Sequence, residues 1–179
     1  MDIDGLSAIV TGGASGLGAA TAAMLRDRGA TVTIVDQDGE RGARFAQSID
    51  ALFCQADITR EAEVDRTLDM VDRVSGIARI LVNCAGIAPR ILTLRHGCVH
   101  PMDAFRRTIE VNLVGTFICS SRFAYRLRAL RPVGEESGVI VNAASIAAFD
   151  GQFGQVAYAA SKSGVVGMTL PLARELAAE

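Results

Sequence analysis

"SAIVTGGASGLGAATAAMLRDRGATVTIVD" occupies residues 7–36. Two short apolar, β-branched runs, 7–11 and 31–36, flank a helical pattern over 16–29 that stops at Gly29. Runs of this length and composition read as strands buried on both faces. Between the first strand and the helix lies the turn "TGGASGLG" (11–18). Gly12 permits a tight turn, Gly16 lets backbone approach a pyrophosphate, and Gly18 lets the helix pack closely on the sheet. Ser15 and Leu17 lie in the same turn. The helix N-terminus then offers free N–H groups and the positive end of its dipole to phosphates. The spacing is G-x-x-x-G-x-G rather than G-x-G-x-x-G, and taken alone such a turn is equally a plain βα connection.

Asp36 closes the second strand, where an acid accepts hydrogen bonds from the adenosine ribose. Its carboxylate repels a 2′-phosphate. No lysine or arginine occurs in 12–18, and Gln37 follows Asp36, so NAD is favoured over NADP. The plain alternative for Asp36 is a solvated strand-end residue.

Working outward, strand and helix patterns keep alternating. Helix is expected over 40–49, 61–74, 102–130 (one long helix) and from Gln155 to about Ala177; strand over 52–58, 79–86 (running into a loop) and 138–145. Alternation of this kind predicts an α/β fold with a doubly wound parallel sheet, a three-layer αβα Rossmann arrangement with five strands. The 132–138 stretch reads as a polar loop, and residues 1–179 read as a single domain. Pro171 removes one backbone hydrogen bond inside the last helix and predicts a local kink there.

The net charge is −2 with both signs interspersed, and no basic block is present, which argues against a nucleic-acid or anionic-membrane partner. The opening "MDIDGLSAIV" lacks the basic region of a signal peptide, no apolar run reaches the ~18 residues of a membrane span, and a cytoplasmic location is expected. Cys54, Cys84, Cys98 and Cys119 form no C-x-x-C pair and read as small reduced core residues. His96, Cys98 and His100 alternate, but no fourth ligand lies nearby in what reads as a loop, so no metal is expected.

Four further motifs follow in order: "NCAG" (83–86), "VNLVG" (111–115), "NAAS" (142–145) and "YAASK" (158–162). Each has a plain reading. Tyr158 and Lys162 share one helical face and make a common surface pair; Asn112 caps a kink; Ser145 caps a turn. Together with the glycine loop, however, they resemble the short-chain dehydrogenase/reductases over essentially the whole chain. The resemblance implies that Tyr158 is the general acid–base, Lys162 its partner, Ser145 the ligand of the substrate oxygen, and Asn112 the holder of a water in a proton relay. It assigns Gly12, Gly16 and Gly18 to the phosphate loop and Asp57 and Ile58 to adenine contacts. Asn83, Ala85 and Gly86 match an "NNAG" turn, in which Cys84 replaces the second asparagine. The chemistry suits these residue types. A phenol that titrates near ~10 is a poor base at neutral pH. An ammonium one turn away favours the phenolate, which then accepts the proton of a substrate hydroxyl as hydride leaves its carbon.

Finer segments, above all "AAFDGQFGQVAYAASKSGVVGMTLPLAREL" (147–176), resemble the type 2 3-hydroxyacyl-CoA dehydrogenase branch. That likeness implies NAD-linked oxidation of 3-hydroxyacyl-CoA to 3-oxoacyl-CoA in fatty acid metabolism. Alternatives are a 3-oxoacyl-carrier-protein reductase, a hydroxysteroid dehydrogenase, or, from another class, a truncated nucleotide-binding partner subunit without turnover. Residues 91–99 and 149–153 are the expected substrate walls. The family commonly forms tetramers, and the two long helices match one such contact, so a homotetramer is implied. The ending "LARELAAE" (172–179) reads as an interrupted helix. The family continues with further strands, so the expectation is a C-terminally truncated fold whose strand over 138–145 has an exposed apolar edge.

Overall fold

β1 (Ser7–Thr11) is buried along its whole length because it is the central strand of a five-stranded parallel sheet. The computed structural model describes residues 2–134 and 136–177; the last two residues of the ending 172–179, read as an interrupted helix, lie outside them. After β1 the chain forms α1 (Gly16–Asp27), β2 (Thr31–Asp36), α2 (Gly39–Ser48), β3 (Leu52–Gln55), α3 (Glu61–Ser75) and β4 (Ile80–Asn83). A hairpin of β5 (Leu94–Arg95) and β6 (Cys98–Val99) precedes α4 (Met102–Ile109), a wide π-helical turn (Glu110–Gly115) and α5 (Thr116–Leu127). β7 (Val139–Asn142), a 3₁₀ turn (Ile146–Ala148) and α6 (Val156–Leu176) complete the described chain.

The sheet order is β3-β2-β1-β4-β7, so the winding direction reverses between β1 and β4. Alternate strand residues serve opposite faces, as pleating requires. Ile9, Val35 and Leu81 pack against Val64, Leu68, Ile118 and Phe123 of α3 and α5. Val10, Ile34 and Ile80 pack against Ala22 of α1 and Ala46 of α2. These two apolar layers make the three-layer αβα Rossmann arrangement expected of the sequence.

Four local expectations change. The helix expected over 102–130 is divided by the wide turn that contains Asn112. β3 ends at Gln55, and the bond from Ala56 N to Asp36 O ties the following residue to the end of β2. Residues 94–99 pair as an antiparallel hairpin rather than a loop: His96 and Gly97 both take positive φ (50° and 77°), which a two-residue hairpin turn demands. That hairpin leaves Cys98 exposed, so it is no core residue. Pro171 lies inside α6, as expected.

β7 pairs with β4 alone among the described strands, and its Val139 and Val141 are exposed. Beside it lies an apolar groove of about 390 Å³ lined in part by Leu127, Ile140, Leu172 and Leu176. Among the described residues no helix is long and apolar enough to cross a membrane.

Phe123 is 1% exposed and is the largest of the fully buried side chains. Phe123→Ala should cost about 3–5 kcal/mol, a fall in Tm of roughly 10 °C for a chain of this size. Calorimetry checks it; a fall below ~3 °C would show that α5 does not seal this core layer.

Candidate active site

In an open α/β sheet the crevice outside the strand carboxyl ends, at the reversal, is the natural ligand site. Here that reversal lies between β1 and β4, and a cleft of about 430 Å³ opens beside it. Gly12, Ser15, Gly16, Leu17, Gly18, Asp36, Asp57, Ile58, Ala85 and Gly86 all line it. Cys84, Ile87, Arg41 and Arg107 join them, and the motifs did not single these out for the cleft.

The glycines are held there by contact. A β-carbon on Gly12 would stand 2.6 Å from Ala85 Cα, so the turns after β1 and β4 approach backbone to backbone. A β-carbon on Gly18 would collide with the carbonyl of Gly12, so this glycine packs the helix on its own loop rather than on the sheet. Gly16 has open space around it but a φ of +54°. Ser15 makes no side-chain cap on α1, so the first N–H groups of the helix remain available to an anion.

Asp36 does two things at once. Its Oδ2 accepts from Ala14 N at 3.1 Å and its Oδ1 from Asp38 N at 3.1 Å. The carboxylate therefore pins the phosphate loop to the end of β2 while facing the cleft. Arg41 is paired with Asp38 at 3.1 Å. Asp57 Oδ1 accepts from Thr59 N (3.0 Å) and Thr59 Oγ1 (2.7 Å), and its Oδ2 meets Arg107 at 3.4 Å. Burial pushes the Asp57 carboxyl up, but the two Thr59 bonds and the Arg107 guanidinium outweigh it and hold the group below its ordinary value.

Asn83 departs from its expected place. It is buried behind the cleft, where Nδ2 donates to Ser120 Oγ (3.0 Å) and Asn142 Oδ1 (2.9 Å), bracing β4 against α5 and β7. It is absent from the cleft lining because its amide is engaged with α5 and β7 instead.

Asn112, Tyr158 and Lys162 lie together near Gly86, and Ser145 opens the 3₁₀ turn that Ser163 of α6 holds through Ala148 O. The point where a β-carbon on Gly86 would sit is 3.2 Å from Asn112 Oδ1 and 3.7 Å from Lys162 Nζ. Lys162 Nζ lies 5.9 Å from the ring centroid of Tyr158 and donates to Ala143 O at 2.6 Å. Burial lowers the Lys162 ammonium from its ordinary value of 10.5, a shift that the neighbouring Cys84 opposes. Burial raises the Cys84 thiol. Ser145 Oγ accepts from Ala147 N at 3.1 Å, so it caps the 3₁₀ turn and keeps its O–H free to donate. Asn112 is fully buried; its Oδ1 accepts from Ile87 N and its Nδ2 donates to Ile87 O, both at 2.8 Å. Among the described residues no group of His, Cys, Asp and Glu could hold a metal ion.

The cleft fits a dinucleotide on these grounds: a cradle that β-carbons would fill, a helix N-terminus at one side, and a fixed carboxylate at the end of β2. A family model described as short chain dehydrogenase matches residues 7–179. The chain is 44% identical to the rat protein named 3-hydroxyacyl-CoA dehydrogenase type-2, over 98% of this chain and 69% of that one. It is 43% identical to the human protein of that name, with the same coverage. A crystal structure of 3-hydroxyacyl-CoA dehydrogenase type-2 from Mycobacterium avium superimposes with a TM-score of 0.89 at 35% identity, covering 97% of this chain and 70% of that one.

Unfolded, Lys162 titrates at its ordinary value of 10.5; folded, it titrates lower. Between the two values the unfolded chain holds the extra proton, so Lys162 makes stability rise with pH through that window. Below the window the buried charge opposes folding in full. The stability of Lys162→Met relative to wild type should therefore decline as pH climbs toward 10.5. Urea unfolding of both proteins from neutral to alkaline pH measures this, and a difference independent of pH would overturn it.

Proposed function

Because this chain belongs to the short-chain dehydrogenase family, and so among oxidoreductases acting on CH–OH groups, we propose that it oxidises 3-hydroxyacyl-CoA to 3-oxoacyl-CoA with NAD. The observation that carries the reading is the convergence of Asn112, Tyr158 and Lys162 near Gly86, beside a cleft shaped for a dinucleotide. NAD, held by the glycine loop and Asp36, would supply the hydride acceptor. Tyr158 takes the hydroxyl proton, and the Lys162 ammonium stabilises the phenolate. Ser145, already oriented by Ala147 N, donates its free O–H to the substrate oxygen. Asn112 fixes the Ile87 peptide at the cleft wall.

NAD over NADP is supported by the pinned Asp36 carboxylate, which lines the cleft and would repel a 2′-phosphate, and by the engagement of Arg41 with Asp38. The acyl chain is assigned to the two segments expected as substrate walls, 91–99 and 149–153, which hydrogen bonds at their flanks bring side by side. Ile91 N donates to Gly154 O at 3.0 Å, and Arg90 Nε donates to Phe153 O at 3.4 Å. Ile146, Phe149 and Phe153 are exposed there and offer apolar surface. We read residues 1–179 as one NAD-binding unit. We also assign a homo-oligomer contact to α5 and α6, where Phe117, Tyr125 and Leu170 are exposed. The carrier-protein reductase, hydroxysteroid and non-catalytic readings are not favoured, since the relatives over nearly the whole chain are named 3-hydroxyacyl-CoA dehydrogenases.

Turnover of acetoacetyl-CoA with NADH, compared with NADPH and with a steroid panel, tests the reading. The thioester with NADH should be the preferred pair. Tyr158→Phe should lose roughly 10²–10⁴ in kcat while keeping its thermal shift with NAD. Steroid turnover alone, or preference for NADPH, would sink the assignment.

A further inference from the structure

Three consecutive residues of α6 anchor it to three different places. Lys162 Nζ donates to Ala143 O just after β7, and Ser163 Oγ donates to Ala148 O in the 3₁₀ turn. Both bonds tie the helix to the β7 side of the site. Ser161 reaches the other side. Its Oγ accepts from Asn112 Nδ2 at 3.0 Å and donates to Tyr158 O at 2.7 Å. Ser161 and Asn112 are both fully buried.

The Asn112 amide closes two bonds on the Ile87 peptide and uses its second Nδ2 hydrogen on Ser161. The clamp on Ile87 joins the wide turn to the loop after β4 but does not by itself touch α6. Ser161 makes that connection, at a point between Tyr158 and Lys162. A hydroxyl suits the position because it accepts and donates at once in a space without exposure to water. A methyl group there would leave an Nδ2 hydrogen buried without an acceptor, which is costly.

We propose that Ser161 is a positioning residue, setting the distance between the cleft wall at Cys84–Ile87 and the Tyr158–Lys162 pair through its bond to Asn112. This rests on Tyr158 and Lys162 being the proton-transfer pair. Ser161 touches neither substrate nor cofactor; it holds α6 in register with the wall opposite.

Ser161→Ala and the nearly isosteric Ser161→Cys, assayed with NAD and 3-hydroxybutyryl-CoA beside Asn112→Ala and the Ser161→Ala/Asn112→Ala double variant, test the link. Loss of one buried hydrogen bond should lower kcat about tenfold. Both KM values should stay within about twofold of wild type. The acid limb of the kcat–pH profile should move to higher pH, and the double variant should be no slower than Asn112→Ala. Hydrogen exchange at the Ile87 amide should accelerate in both serine variants, a readout that needs no substrate. If Ser161→Ala does not fold, Ser161→Cys carries the same expectations at nearly unchanged volume. Unchanged kcat and Ile87 exchange would overturn the proposal, as would a change in KM alone or an additive loss in the double variant. If wild type turns over no 3-hydroxyacyl-CoA, the proposed reaction falls. Ile87 exchange then decides whether Ser161 holds the wall: acceleration supports the link and unchanged exchange overturns it.

Discussion

The backbone contact between the turns after β1 and β4 is the constraint on which the site depends. Gly12 has no room for a side chain because Ala85 fills the space where one would project. That contact exists because β1 and β4 are neighbours at the point where the sheet reverses its winding. It brings the phosphate loop on one strand and the "NCAG" turn on the other to the rim of one cleft. A bulkier residue at Gly12 would part the two turns, and the cofactor site and the proton-transfer site would lose their common boundary.

From that boundary, order passes to the remaining elements through hydrogen bonds rather than apolar contact. Asp36 ties the phosphate loop to β2. Asn83 braces β4 against α5 and β7. Asn112 locks the Ile87 peptide, and residues 161–163 fasten α6 to its surroundings. Directional bonds suit these places because a reacting centre needs placement to a fraction of an ångström, which area burial alone does not supply. The apolar layers hold the sheet and helices together; the polar bonds set the spacing at the cleft.

Much of this was legible in the chain itself. The apolar runs at 7–11 and 31–36 marked the strands, since burial on both faces favours apolar and β-branched residues at successive positions. Ten of the anticipated cofactor residues line the cleft, because a glycine loop and a strand-end acid are local signals with a local geometric cause. Asn83 was less legible: its motif says where the turn lies but not which way each side chain points. The hairpin at 94–99 escaped notice because its strands are two residues long, below the length at which alternation can be seen. The interruption at Glu110–Gly115 escaped too, since an apolar helical pattern looks alike whether the turns are α or π. Ser161 lay inside the quoted "YAASK", yet its partner is 49 positions away.

The sequence by itself determined the alternation of strand and helix, the glycine-bearing turn and the residue types that can move a proton. Each follows from steric or chemical rules that act over a few neighbours. Only the tertiary structure decided that Asn83 is a brace, that Asp36 holds the phosphate loop, that Asn112 grips Ile87 and that Ser161 joins that grip to α6. These are contacts between segments far apart in the chain. They exist only once packing of the parallel sheet has brought the carboxyl ends of β1, β2, β4 and β7 to one side, because hydrogen bonds act over about 3 Å whatever the separation in sequence.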